Sequence, residues 1–220
     1  MLLSEAPMVK NQAGSFRDPF GRRDLAMRMA SRRAPSYPSR MADWKISEIR
    51  TTPSLELFSS LVELLQDAVA SGASVGFLAP LATKEARNYW IGALEEVGQG
   101  ERVVLIASAN HDVVGCVQLL LSSTANARHR GQVQKLIVLK RARRQGLGRA
   151  LLAAIEKMAT TKGRSLLVAD TPTGGAGEHL YAAAGYTRVG AIPRYLRGSD
   201  GHFEATTIFY RGLEGRATEM

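Results

Sequence analysis

The chain has 220 residues, 45% apolar and 22% charged, enough for one sizeable core in an ordinary globular protein. A single cysteine, Cys116, excludes an internal disulfide and a multi-cysteine metal site, and no stretch approaches the roughly 20 apolar residues that span a bilayer. The formal charge of +9 is uneven: residues 1–40 hold eight Lys/Arg against three Asp/Glu, a net +5, which leaves 21 against 17, or +4, for the rest.

Residues 1–40 are rich in Arg, Ser and Pro and lack a sustained apolar period, which predicts a basic, disordered extension. Its arginine bias suits a transit peptide, although Glu5, Asp18 and Asp24 argue against one. An upstream extension of the reading frame is the plainer alternative, since Met41 opens "MADWKISEIRT", the expected start of a folded domain over 41–220.

"WKISEIR" alternates as a strand, and "SLELFSSLVELLQDAVASG" keeps Leu57, Leu61, Leu64, Leu65 and Val69 on one helical face. "TKEARNYWIGALEEV" is a second helix, stopped at Gly98 and Gly100. "RVVLIASA" and "VVGCVQLLL" flank the turn-forming "NHD" as an antiparallel hairpin, and "GQVQKLIVLK" is a further strand. Leu147, Ala150, Leu151, Ala154, Ile155 and Met158 then mark an amphipathic helix. "SLLVAD" is a buried strand, "GEHLYAAAG" a short helix, and "YTRVGAIP" and "ATTIFYRG" are the last strands, joined through a loop "RYLRGSDGHFE". The order β-α-α-β-β-β-α-β-α-β-β predicts an α/β domain, one mixed sheet with helices on both faces.

Between the third of the central strands and its helix stands "KRARRQGLGR", where cations and glycines meet at a helix start. No GxxxxGK[ST] occurs, which excludes a Walker loop, and Leu151 occupies the third small position of a dinucleotide fingerprint, which makes that match weak. The spacing Arg143-x-x-Gly146-x-Gly148 instead resembles the acyl-CoA-binding motif of the GNAT superfamily of N-acetyltransferases. Downstream, "HLYAAAGYTRVG" resembles that superfamily's aromatic-Tyr-x-x-x-Gly-aromatic signature, with Leu180 in the first slot, then Tyr181, Gly185 and Tyr186. The likeness covers residues 44–212. "LLVADTPTGGAGEHLYAAAGYTRVGAIPRY" and "DGHFEATTIFYRGL" look most like the branch containing the tabtoxin-resistance-type acetyltransferases.

The resemblance implies a single GNAT-like domain with a mostly antiparallel sheet, and acetyl-CoA as cosubstrate. Backbone N–H groups of Arg143, Arg144, Gln145, Gly146, Leu147, Gly148 and Arg149 would hold the pyrophosphate, helped by the helix dipole. Leu136, Ile137 and Val138 would pair with the pantetheine arm, and an N–H near Ile137 or Val138 would polarise the thioester carbonyl. Tyr181 would be the general acid for the thiolate, Asp170 the candidate base and Glu178 a weaker alternative base. Similar proteins often carry Glu where this chain has Gln132.

His111, His129, His179 and His202 form no metal-ligand spacing, so no metal is expected. The expected function is N-acetylation of a primary amine on a small molecule such as an antibiotic or toxin, in a cytoplasmic enzyme without nucleic-acid or membrane partners. A homodimer through exposed final strands is open. Alternatives are protein or peptide N-acetylation, or nucleic-acid binding through the basic segment.

Overall fold

The computed structural model describes residues 44–109 and 112–213. The expected basic extension, the boundary at 40 and His111 therefore lie outside the described residues. The elements follow the order read from the sequence: β1 (Lys45–Glu48), α1 (Leu55–Ala70), α2 (Thr83–Gly98), β2 (Arg102–Ala109), β3 (Asp112–Leu121), β4 (Arg130–Val138), α3 (Leu147–Thr161), β5 (Leu166–Pro172), α4 (Ala176–Ala183), β6 (Thr187–Arg197) and β7 (Phe203–Gly212).

Ser54 caps α1, its hydroxyl accepting from the Leu57 N–H at 3.3 Å, which satisfies one of the helix's orphan donors. The face of α1 that packs inward is Leu61, Val62, Leu64, Leu65, Ala68 and Val69, each below 5% exposed. Full burial of one such leucine favours folding by about 1.5–3 kcal/mol, so this stripe alone fixes where the helix lies. Leu57 is only half-buried. In α3 the buried set is Leu147, Leu151, Leu152, Ile155 and Ala159.

The seven strands form one sheet in the order β1-β2-β3-β4-β5-β7-β6. All neighbours are antiparallel except β4 and β5. The Gln118 side chain meets Tyr89 of α2, whereas a Cβ on Gly115 would meet Leu147 and Leu151 of α3. Residues three apart on a strand face opposite ways, so α1 and α2 cover one face of the sheet and α3 the other.

Two departures from the sequence reading concern strands. "RYLR" is not loop: β6 runs to Arg197 and β7 begins at Phe203, so only 198–202 connect them. An irregularity between Ile192 and Leu196, with Arg194 at φ 56°, lets β6 continue past the proline that ended the apparent strand. In β4 an extra residue interrupts the alternation, because Gln134 pairs with Gln118 but Ile137 with Cys116. Lys135, at φ 47°, takes up that bulge.

Candidate functional site

The parallel pair β4–β5 gives the site its opening. Main-chain pairing runs from Arg130 with Leu166 to Val133 with Ala169 and stops there. Beyond it, β4 continues against β3 as far as Val138, and β5 continues against β7 as far as Pro172. The two strands part, and the β5-facing edge of Gln134–Val138 carries no strand partner. A cavity of about 770 Å³ fills the gap. Its walls include Gln132–Val138, the start of α3, Asp170–Pro172, Leu180 and Tyr181.

At one end lies the glycine-arginine loop. Gly146 precedes α3 with φ 86°, a left-handed conformation open to glycine without a Cβ penalty. No atom lies within 4 Å of where its Cβ would stand, so the helix start faces open space. Arg144 also has positive φ, at 63°. Left-handed residues on either side of Gln145 coil the loop so that its N–H groups can turn toward one concavity, an anion-binding arrangement strengthened by the helix dipole. The Arg143 side chain turns away to donate from Nε to the Val138 carbonyl at 3.0 Å, so it braces the loop on β4. Lys140 N donates to Asp67 Oδ2 at 2.9 Å and ties the same loop to α1. A Cβ on Gly148 would come 3.3 Å from Leu180 Cδ2, so this glycine lets α3 close on α4.

Of the residues read from the sequence as cofactor-binding, Leu136, Ile137, Val138, Arg143, Arg144, Gly146, Leu147, Gly148 and Arg149 all line the cavity. Gln145 does not; its side chain bonds the Arg141 carbonyl at 3.4 Å. Tyr181 and Asp170 line the same cavity. Tyr181 is 5% exposed, packs beside Tyr186 and Phe209, and its hydroxyl makes no hydrogen bond with the described residues. Burial first, then the Asp170 carboxylate, pushes its phenol well above the ordinary range, so it stays protonated. Asp170 Oδ1 accepts from Gln132 Nε2 at 3.4 Å. Gln132 therefore orients the Asp170 carboxylate.

Glu178 is not brought to the cavity. One carboxylate oxygen accepts from the Gly174 N–H, the other from Thr207 Oγ1 at 3.0 Å and Arg188 Nε at 3.3 Å. Those bonds, led by Gly174, hold its carboxyl below the usual range. It is a clasp between the start of α4 and β7. His179 faces the Gly175 carbonyl at 3.1 Å. No group of three or more His, Cys, Asp or Glu that could hold a metal occurs among the described residues, and no helix there is long and apolar enough to cross a membrane.

Sequence reasoning missed the opposite end of the cavity. Lys135 lines it, with Nζ 5.1 Å from the centre of the Tyr89 ring. Beneath it, Arg102 donates Nε to Glu96 at 2.6 Å and Nη1 to the Gln118 and Gln134 side-chain oxygens at 2.6 and 3.0 Å. Tyr89 OH adds a 2.7 Å bond to Gln118. The loop after α1, residues 71–76, closes this end, and just beyond it Ala79 N donates to Ser199 Oγ at 2.7 Å in the β6–β7 turn. The available signal was slight: a lysine between Gln134 and the apolar run Leu136–Val138, in a strand that already alternates polar and apolar residues.

Residues 100–188 match the family model described as acetyltransferase (GNAT) domain. The chain is 29% identical over 132 residues, 59% of its length, to an uncharacterized N-acetyltransferase in the hisH-hisA intergenic region of Azospirillum brasilense, covering 76% of that protein. The fold is similar to ribosomal-protein-alanine N-acetyltransferase from Brucella melitensis, with TM-score 0.64 and 21% identity over 76% of this chain and 99% of that one. It is equally similar to yncA from Salmonella typhimurium, solved with its cofactor acetyl-CoA, with TM-score 0.63 and 18% identity over 80% and 98% of the two chains.

Proposed function

We propose that this chain, an acetyltransferase of the GNAT superfamily, moves an acetyl group from acetyl-CoA to a primary amine of a small molecule by direct attack. The observation that carries the proposal is convergence: an anion-binding helix start, a free strand edge, a protonated buried phenol and a carboxylate all face one cavity. We assign the chemistry to residues 41–220. The likeness to the tabtoxin-resistance branch, carried by the segment after β5, supports a small acceptor. So does the Ala79–Ser199 bond at the acceptor end, because a peptide chain would need that contact open.

The thioester supplies the activated acyl group; the chain supplies placement and protons. N–H groups from about Arg143 to Arg149 hold the pyrophosphate, and the free edge of Leu136–Val138 takes the pantetheine arm as a strand would. An N–H near Ile137 or Val138 donates to the thioester carbonyl oxygen as the amine attacks. Asp170 draws the ammonium proton away, held in place by Gln132. Tyr181 donates to the departing sulfur. With a phenol raised above pKa 10 facing a thiol near 8.5, complete proton transfer is uphill, so its contribution is a hydrogen bond maintained through bond cleavage.

Isothermal titration of acetyl-CoA into the full chain and into Gly146→Glu tests the cradle. Binding that is lost in a variant of unchanged circular dichroism supports the proposal; a folded wild type without affinity for acetyl-CoA overturns it. Free-thiol release with an amine panel then tests transfer.

A further inference from the structure

Lys135 poses a question that the proposed acetyl transfer leaves unanswered. Its ammonium lies beside the Tyr89 ring and 3.7 Å from where a Cβ on Gly76 would stand, so no larger side chain separates it from the loop after α1. No salt bridge or side-chain hydrogen bond uses its Nζ among the described residues. The groups around it are the Arg102 guanidinium, the Cys116 thiol, the Tyr89 ring and, across the cavity, Asp170. Of these, Arg102 repels it, the Cys116 thiol is pushed up to about 12 by burial and stays neutral, and Asp170 is beyond ion-pair distance. A half-buried cation without a carboxylate partner carries a desolvation cost that a bound anion would offset.

The CoA phosphates are not that ligand. They belong with the N–H groups at the start of α3, whereas the Lys135 ammonium stands beside the Tyr89 ring and the Gly76 loop. An amine substrate that is cationic throughout would add a third positive charge to Lys135 and Arg102, so it does not explain the lysine either.

We infer that the acceptor carries a carboxylate close to its reacting amine, an amino acid or analogue, with the carboxylate paired to Lys135 and the amine directed to Asp170. This rests on the acetyltransferase reading and narrows it from any small amine to a zwitterionic one. The lining fits such a molecule: besides the loop cations Arg143, Arg144 and Arg149, the cavity holds Lys135 and a single carboxylate, Asp170, which do not pair with each other, and the bulge in β4 is what turns Lys135 to that place. A zwitterion bridges them, the ammonium on Asp170 and the carboxylate on Lys135. Lowering of the Lys135 ammonium below its ordinary value, chiefly by burial, is reversed when a carboxylate binds beside it.

The test uses matched pairs, each amino acid beside the same amine without its carboxylate, such as phenylalanine with phenethylamine. Full-length wild type, Lys135→Met and Lys135→Arg are assayed by free-thiol release from acetyl-CoA. The wild type is expected to favour a carboxylated member over its twin by about tenfold or more in kcat/KM, the size of one charged hydrogen bond. Lys135→Met should erase that preference through KM, and Lys135→Arg should keep most of it. Equal or better use of the decarboxylated twins by the wild type, or an unchanged ratio in Lys135→Met, overturns the inference. Should the wild type bind no acetyl-CoA and release no thiol, the acetyltransferase reading fails, and Lys135 is judged separately by melting temperature. A rise with the carboxylated members alone, absent in Lys135→Met, sustains the carboxylate site; no rise refutes it.

Discussion

The two ends of the cavity are built from different materials. At the α3 end, the surfaces are main chain: a left-handed Gly146, a free β4 edge and the N–H groups of a helix start. At the α1–α2 end, they are side chains: Lys135, Asp170, Gln132 and, behind them, Tyr89, Gln134 and Arg102. In the proposed reading the backbone end takes what is constant, the diphosphate and amide groups of a common donor. A side-chain site is rewritten by single substitutions, which suits an acceptor that differs from one relative to another. The contrast makes a prediction: the first end should fail when atoms are added, the second when functional atoms are removed.

The largest effect is expected at Gly115. A Cβ there would stand 2.9 Å from the Ile137 carbonyl oxygen and 3.1 Å from Leu151 Cδ1, with backbone as the nearer obstacle. Gly115→Val should cost about 3 kcal/mol by overpacking, lowering Tm by roughly 6–12 °C, and should weaken acetyl-CoA binding by displacing β4. An unchanged Tm would show that the packing of β3 against β4 and α3, which supports the donor end, tolerates added atoms, and would weaken the contrast. Next comes removal. Tyr181→Phe deletes a hydroxyl that bonds nothing among the described residues, so stability and acetyl-CoA affinity should hold while kcat falls about 10²-fold. Asp170→Asn should lower kcat/KM for the amine by a similar factor, again with acetyl-CoA affinity intact. Loss of Tm or of acetyl-CoA binding in either variant would mean that these side chains support the fold.

The same contrast explains how much the sequence disclosed. Gly146 and Gly148 announce the donor end because backbone geometry constrains residue type: one needs positive φ, the other close approach to Leu180. The element order was legible for a similar reason, since burial on α1, α3 and the central strands imposes a period that tertiary contacts preserve. Lys135 was not legible, because its position depends on one extra residue in β4 relative to β3, a pairing that a single chain read alone does not display. Neither was the partnership of Arg102, Gln118 and Tyr89, which joins a helix to two strands through side chains with no fixed spacing. The ends of β6 and β7 were misjudged because Pro193 reads as a stop, yet an irregular edge strand accommodates it.

A smaller effect is expected for Arg149→Ala at the cofactor end. If N–H groups carry most of the diphosphate binding, loss of one cation at the rim should weaken acetyl-CoA by only about two- to fivefold, and the loss should shrink further in high salt. A hundredfold loss, measured by titration at two ionic strengths, would mean that side-chain charge and not backbone holds the donor, and the distinction between the two ends would fall.

The smallest effect separates the two carboxylates that the sequence offered as bases. Glu178 is bound to Gly174, Thr207 and Arg188, and its carboxyl lies below the ordinary value of 4.5. A group with a depressed folded pKa stabilises the protein above its unfolded pKa, and this contribution disappears as pH falls through the folded value. Glu178→Gln should therefore lower Tm modestly at pH 6–7, and the gap from wild type should close as the pH is taken below 4.5. Thiol release at neutral pH should be nearly unchanged, since the carboxylate does not reach the cavity. If Glu178→Gln instead abolishes turnover with no change in Tm, the proton acceptor is Glu178, and the acceptor site must be redrawn around the start of α4.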